Sequence, residues 1–133
     1  MSRSGYVEDC DMEQWALIRW RGAVMSAIRG RRGQALLREM RDALDAMPDK
    51  RLIAKSLDKD GERCALGCVA VARGMDVSKI DPEDPEQVAA AFGVAKALVC
   101  EIAYENDDDY GPVKPEGRWR RMRNWVEQHI ISK

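Results

Sequence analysis

Apolar residues recur along most of the chain at the three- and four-residue spacing of amphipathic helices. This spacing predicts a first helix from about Met12 to Arg29, with Asp11 as its N-cap. One apolar stripe and three flanking residues would form its inward face: Leu17, Trp20, Val24 and Ile28, with Trp15, Ile18 and Met25 beside them.

The same periodicity predicts a second helix from Gln34 to about Met47, where Pro48 ends it. Gly30 would stop the first helix, and Arg31-Arg32-Gly33 would form a tight loop. The two helices are therefore expected to form an αα-hairpin.

A stretch from Cys64 to Ala72 is free of charge and rich in small residues. Gly74 follows it and accepts the left-handed conformation in which helices often end. We predict a short, fully buried helix from Cys64 to Arg73, around which the other helices pack closely. A short strand over Arg51 to Leu57, with a turn at Asp60-Gly61, would make a small β-hairpin over residues 52–64.

The second half of the chain carries clear helix-start signals. Asp84 is a good N-cap, Pro85 suits the first helical position, and Gln87 stands at the capping-box position. This helix is expected to run to about Glu105, with a break at Gly93. After it we expect an acidic loop over residues 106–112 and a last helix that begins at Lys114-Pro115-Glu116. Before it, the connection over 75–84 is expected to pack on the core through three apolar residues: Met75, Val77 and Ile80.

Length and composition fit one domain. The 133 residues, rich in good helix formers, predict a mostly α fold, a compact helical domain of about five helices with a small β-hairpin. Residues 1–10 are expected to form a flexible tail and residues 11–133 the single helical domain. The net charge of −1 gives no general attraction to nucleic acid or anionic membranes, and no signal sequence or membrane span is apparent. A cytoplasmic location with reduced thiols is expected.

The cysteines are the first candidates for chemistry. Cys64 and Cys68 stand four residues apart in an apolar run, Cys10 and Cys100 are distant, and His129 is the one histidine. Structural zinc sites use two close ligand pairs and this chain offers one, so we predict no metal. The sequence has no glycine-rich phosphate loop, no dinucleotide fingerprint and no cationic helix start beside a thiol, so we predict no cofactor and no catalytic residue. A small-ligand binder or an enzyme built around Cys64 and Cys68 remains an alternative.

Residues 88–102 match the glycine and apolar spacing of a helix-turn-helix. A helix that reads DNA needs Arg, Lys, Asn or Gln at base edges. The second helix here offers Lys96 alone and then runs into Asp107, Asp108 and Asp109. We interpret the pattern as structural.

Charge is strongly clustered. The predicted αα-hairpin carries seven arginines, and the last helix carries four: Arg19, Arg21, Arg29, Arg31, Arg32, Arg38 and Arg41, then Arg118, Arg120, Arg121 and Arg123. These clusters either neutralise the acidic segments of the same chain or form an interface in which Arg and Trp are anchors. On the second interpretation the partner-binding residues are Arg29, Arg31, Arg32, Asp107, Asp108, Asp109, Arg118, Arg120 and Arg121.

Across most of residues 12–131 the chain resembles small uncharacterised proteins carried by phages and prophages. The likeness rests on five short motifs: Arg19-Trp20-Arg21-Gly22-Ala23, Cys64-Ala65-Leu66-Gly67, Asp81-Pro82-Glu83-Asp84-Pro85, Tyr104-Glu105-Asn106-Asp107 and Pro115-Glu116-Gly117-Arg118-Trp119. It implies an accessory protein in the cytoplasm of a bacterial host cell that binds a host or phage protein complex, as inhibitors of CRISPR and other defence complexes do.

The sequence therefore predicts a non-enzymatic protein that binds and inhibits or redirects a host complex through its charged surfaces. The first alternative is nucleic-acid binding by the basic helices. A homodimer is also compatible with complementary acidic and basic patches.

Overall fold

The computed structural model describes residues 3–4, 14–107 and 113–131. Within these ranges the chain forms six helices and one β-hairpin, so the predicted mostly helical domain with a small hairpin is confirmed. The elements are α1 Gln14–Arg29, α2 Arg31–Ala46, β1 Asp58–Lys59, β2 Glu62–Arg63, α3 Ala65–Arg73, α4 Pro85–Phe92, α5 Lys96–Asp107 and α6 Pro115–His129.

The core is organised around α5 and α2. Helix α5 contacts α1, α3, α4 and α6, while α2 packs against α1, α3 and α6. Helix α3, the predicted centre, is buried from Ala65 to Ala70, but its last turn reaches solvent and Val71 is 50% exposed. The prediction of a fully buried helix is therefore wrong for that turn, because the described helices leave Val71 half exposed to solvent.

The corner between α1 and α2 is tighter than predicted. Only Gly30 separates the helices, and Arg31 and Arg32 belong to the first turn of α2 rather than to a loop. A Cβ built on Gly33 would lie 1.9 Å from the carbonyl oxygen of Ala27. The first turn of α2 thus touches the backbone of α1, which is possible because residue 33 has no side chain.

The hairpin is shorter than predicted. Asp58 pairs with Arg63 and Lys59 with Glu62, and the turn residues Asp60 and Gly61 both have positive φ, as in the tight turns that hairpins favour. The strand predicted over residues 51–57 is wrong. Lys55 has a φ of 70°, which interrupts the extended backbone, and its N–H donates to Asp107 Oδ1 at 3.0 Å.

Helix α3 ends as predicted, before a left-handed Gly74. It begins one residue later than predicted, because Cys64 is its N-cap and the Cys64 Sγ accepts from Gly67 N at 3.4 Å. A Cβ built on Gly67 would lie 1.9 Å from the carbonyl oxygen of Leu57. The small residues of this helix therefore do allow close approach, here of the segment that leads into the hairpin.

The predicted start at Asp84 and break at Gly93 are also confirmed. The Asp84 carboxylate accepts from Gln87 N, but the Gln87 side chain bonds Asp81 N and Lys79 O instead of closing a capping box. Helices α4 and α5 meet at 107°. The described helices include no single one with the length and hydropathy of a membrane span, although this bent pair passes that test jointly on length and composition.

The connection between α3 and α4 behaves as expected, since its three apolar residues are partly buried against the core: Met75, Val77 and Ile80. Two segments differ from the prediction. Asn106, expected in an acidic loop, lies in the last turn of α5 and is fully buried. Arg3 and Ser4, expected in the tail, are also buried, while residues 5–10 and the Asp11 N-cap lie outside the described residues.

Candidate partner-binding surface

Three predicted binding residues meet at the α1–α2 corner. Arg29 ends α1, and Arg31 and Arg32 occupy the first two positions of α2. All three, named here the tip arginines, are exposed. Residues 14–107 and 113–131 provide no carboxylate that forms an ion pair with them.

Most arginines elsewhere in the fold do have carboxylate partners. Arg73 binds both oxygens of Glu39 at 2.7 Å, and Arg123 binds Asp45 at 2.7 and 3.0 Å. The hydrogen bond from each guanidinium lowers the pKa of its carboxyl group below the ordinary value, although partial burial opposes this. The intramolecular neutralisation considered from the sequence is therefore real for these pairs and does not extend to the tip arginines.

The position of Arg31 and Arg32 is electrostatically unfavourable. A helix N-terminus carries partial positive charge, and a cation there costs about 0.3–1 kcal/mol. The first turn of α2 contains no acidic residue, and its N-cap, Gly30, offers no side-chain acceptor. Two cations at this helix start therefore cost stability that nothing described nearby recovers.

The first half of α1 exposes apolar residues predicted to face inward. Trp15 is 66%, Ile18 52% and Leu17 44% exposed, whereas Val24 and Ile28 are buried. Helix α1 packs on α2 and α5, and both of its buried residues, Val24 and Ile28, lie in its second half. The predicted inward face is thus right for Val24 and Ile28, and Trp20 and Met25 are partly buried against the core. It is wrong for Trp15, Leu17 and Ile18.

A continuous exposed stripe runs along α1 at three- and four-residue spacing. We call it the outer face of α1, and its residues are Trp15, Ile18, Gly22, Ser26 and Arg29. It ends at the tip arginines, because Arg29 belongs to both. The α1–α5 contact is held from the side by Arg21, which binds both oxygens of the buried Glu101 at 2.8 and 3.1 Å.

Gly22 stands in the middle of the outer face without a packing reason inside the chain. A Cβ built there would meet nothing within 4 Å, and no positive φ calls for glycine. Glycine in a helix interior costs about 0.5–1 kcal/mol relative to alanine. Gly22, like Arg31 and Arg32, is therefore an exposed residue that reduces the stability of its helix. Residues that reduce local stability in this way concentrate at functional sites.

Asp107, one of the predicted acidic residues, is not part of this surface. Asp107 binds Arg3 through two hydrogen bonds, one of 2.8 Å to Oδ1, and also accepts from Asn106 Nδ2 and Lys55 N. Burial tends to raise the pKa of Asp107, but the bonds and charge of Arg3 outweigh it and hold that pKa below the ordinary value. Asp108 and Asp109 lie outside the described residues.

The three arginines predicted on α6 divide between core and surface. Arg118, expected to be exposed, is buried and donates to the carbonyl oxygen of Asn106, which also accepts from Arg121 Nη2 at 3.2 Å. Arg120 is exposed and, with Arg121, borders a cleft of about 420 Å³. The expectation of exposure is therefore wrong for Arg118, because its guanidinium binds a carbonyl oxygen in the last turn of α5.

Buried amides that sequence reasoning missed hold these elements together. Asn106 accepts from Ala65 N at 3.1 Å and donates to the Ile53 oxygen at 3.0 Å. Gln34 donates to the Ile28 and His129 oxygens and accepts from Ile131 N. The sequence did offer a signal for the burial of Gln34, which is an amide within an otherwise apolar helical face. It offered none for Asn106, because the acidic residues that follow Asn106 predicted a loop there.

The helix-turn-helix geometry offers no surface for reading DNA. Of the residues that α5 would present, Ala97, Cys100 and Glu101 are buried. The helix lies at the centre of the fold, where it cannot enter a groove of DNA. This burial supports the interpretation that the motif has a structural role and does not read DNA.

The thiols of Cys68 and Cys100 show no sign of activation. Burial raises the pKa of Cys68 to about 12 and that of Cys100 above its ordinary value. Neither the 420 Å³ cleft nor a second cleft of about 400 Å³ is lined by a cysteine. Within the described ranges, no three His, Cys, Asp or Glu side chains come together in a group able to hold a metal.

Comparisons of the chain with protein-family models, curated proteins and solved structures find no match. The likeness to phage accessory proteins therefore stays a prediction. The described residues form an exposed surface at the α1–α2 corner, in which arginines that make no ion pair with these residues adjoin an apolar stripe.

Proposed function

We propose that this protein acts by binding an acidic surface of another protein through the tip arginines. The observation that carries the proposal is that Arg29, Arg31 and Arg32 are exposed together and lack carboxylate partners in the described parts of the chain, while Arg73, Arg123 and Arg21 each bind one. Fixed, planar guanidinium groups suit bidentate contacts with carboxylates of a partner.

The surroundings of the tip favour a protein over a nucleic acid. The tip arginines continue into the outer face of α1, where Trp15 and Ile18 are exposed. Trp and Arg are the residues that most often dominate binding energy at protein interfaces. A phosphate backbone would use the arginines and leave the apolar residues in water.

The resemblance to phage accessory proteins gives this proposal a biological context. In that context the partner is a host complex, for instance a CRISPR or other defence complex, which the protein inhibits or redirects. This part of the proposal rests on the likeness of the sequence motifs alone.

The test is capture of partners from a nuclease-treated bacterial lysate with the protein tagged at its carboxyl end, since Arg3 packs in the fold. The wild type is compared with the double variant Arg31→Glu/Arg32→Glu. We expect a discrete protein partner, and we expect the variant to bind it more weakly by roughly 30-fold or more. The melting temperature should be unchanged or slightly raised, because negative charge suits a helix N-terminus.

The matched control is Lys59→Glu/Lys79→Glu, which makes the same change of charge at two exposed positions elsewhere. It should bind like the wild type. Equal loss in both double variants would mean that general charge, and not the tip, attracts the partner. Recovery of nucleic acid in untreated lysate, lost steeply between roughly 0.05 and 0.2 M salt, would overturn the proposal in favour of phosphate binding.

A further inference from the structure

We infer that the outer face of α1 is a docking site for an acidic amphipathic helix of the partner. This inference rests on the proposed function and specifies the kind of segment that is bound. The site consists of Trp15, Ile18, Gly22, Ser26 and Arg29, all of them exposed.

The apolar part of the site has the composition of a binding anchor. Trp15 and Ile18 lie one turn apart and are 66% and 52% exposed. Helix-in-groove and helix-on-helix recognition uses anchors at this spacing, and a partner helix that carries its own apolar stripe would cover both residues.

Gly22 determines how the partner approaches. Its missing Cβ leaves open space, with no atom of the described residues within 4 Å of where a Cβ would stand. Ser26, one turn further, is also small. Small residues at the crossing point of two helices let their backbones come close, and the exposed anchors flank this point on one side and Arg29 on the other.

Charge identifies the partner helix as acidic. Helix α1 contains Arg19, Arg21 and Arg29 and no Asp or Glu. Arg21 already binds Glu101, whereas Arg19 and Arg29 form no ion pair with the described residues. Carboxylates flanking the apolar stripe of the partner would meet Arg19 and Arg29 on either side of the crossing.

The same observations disfavour two other occupants. A second copy of α1 would bring Arg19 and Arg29 against arginines, which repel each other. A membrane surface would gain from more apolar area, and a glycine at the centre of the face supplies none. A partner helix whose backbone crosses α1 at Gly22 is the occupant that would fill the open space there.

The experiment selects helical peptides against the wild-type protein from three display libraries. All three share one apolar stripe, and their flanking positions are restricted to Asp and Glu, to Lys and Arg, or to Ser and Gln. We expect enrichment from the acidic library. A synthetic peptide of the enriched sequence should bind roughly 30-fold more weakly to Trp15→Ala, as expected for an aromatic anchor.

Two substitutions at Gly22 separate docking from folding. Gly22→Ala should raise the melting temperature by about 3–5 °C yet weaken peptide binding. Gly22→Leu should weaken it further, by at least roughly ten-fold, because its side chain fills the crossing point. The control Val71→Leu enlarges an exposed apolar residue on α3 and should leave peptide binding unchanged.

Enrichment from the basic or neutral library, or binding that Gly22→Leu leaves unchanged, would overturn the inference. So would binding to vesicles of phosphatidylglycerol that Gly22→Leu strengthens, since a membrane gains from the added leucine. If no peptide is enriched while Arg31→Glu/Arg32→Glu still loses the captured protein, the inference fails and the proposed function stands. If peptides dock on α1 and that double variant loses nothing, Arg31 and Arg32 are excluded from the interface and the outer face of α1 alone binds.

Discussion

Arg3 and Asp107 show how a single ion pair connects a distant residue to the core. The Arg3 side chain is 3% and that of Asp107 14% exposed, and Arg3 Nη1 also lies 3.5 Å from Cys64 Sγ. The pair thus joins a residue near the start of the chain to α5 and to the N-cap of α3. Removing one member would leave the other buried and charged with fewer partners.

This pair predicts an acid-dependent loss of stability. Because the pKa of folded Asp107 lies below its ordinary value, its contribution is fully present above the unfolded pKa of about 3.9 and is lost as the pH falls through the folded pKa. Arg3→Gln should therefore lower the free energy of unfolding by about 2 kcal/mol at pH 7 and by progressively less as the pH falls below about 3.9.

Urea denaturation of wild type and variant at pH 7, 5 and 3 measures this difference. Arg120→Gln is the matched control, because Arg120 is exposed, and it should behave like the wild type at each pH. A gap between wild type and Arg3→Gln that is as wide at pH 3 as at pH 7 would show that the Asp107 carboxylate is not what Arg3 stabilises.

At the scale of elements, the α1–α2 corner depends on the absence of one side chain. Gly33 and Gly117 both occupy the third position of a helix, α2 and α6 respectively. A Cβ on Gly33 would collide with the Ala27 carbonyl oxygen, whereas a Cβ on Gly117 meets nothing within 4 Å. The two glycines offer the same substitution in opposite environments.

We expect Gly33→Ala to destabilise the fold by about 2 kcal/mol, because α2 must shift away from α1. Gly117→Ala should stabilise it by up to about 1 kcal/mol through helix propensity alone. Thermal unfolding of both variants tests the contrast. Similar changes in the two proteins would mean that the corner relaxes without strain and that the close contact does not fix its geometry.

Elements with local chemical signals were predicted well from the sequence. Asp84 and Pro85 start α4, Gly74 ends α3, and Gly93 breaks α4 from α5, since a cap or a left-handed residue acts within a few positions. The strand over residues 51–57 failed for the opposite reason. Lys55 takes its conformation where its N–H meets Asp107, which is 52 positions away and invisible to a local pattern.

At the scale of the whole molecule, the candidate surface could be predicted only in part from the sequence. Charge clustering pointed to Arg29, Arg31 and Arg32, but only the fold shows which arginines already have partners. Periodicity placed Trp15 and Ile18 inward, since spacing defines a helical face and cannot say where neighbouring helices stop covering it. Asp107 and Arg118 looked like surface charges because nothing local reveals that they bind Arg3 and Asn106.

The polar contacts that tie this fold together join residues far apart in the chain. Gln34 meets Ile131 across 97 positions, Arg21 meets Glu101 across 80, and Arg123 meets Asp45 across 78. Helices form rapidly from local contacts, whereas these bonds require long loops to close first and should form after the folding transition state.

The consequence is kinetic. We expect Arg21→Ala and Gln34→Ala to accelerate unfolding while leaving the folding rate nearly unchanged, because interactions absent from the transition state act on the unfolding barrier alone. Stopped-flow measurements across urea would show the unfolding arm displaced and the folding arm in place. A slower folding arm would instead put these contacts in the folding nucleus. The long-range bonds thus determine how long each native molecule lasts rather than how quickly it forms.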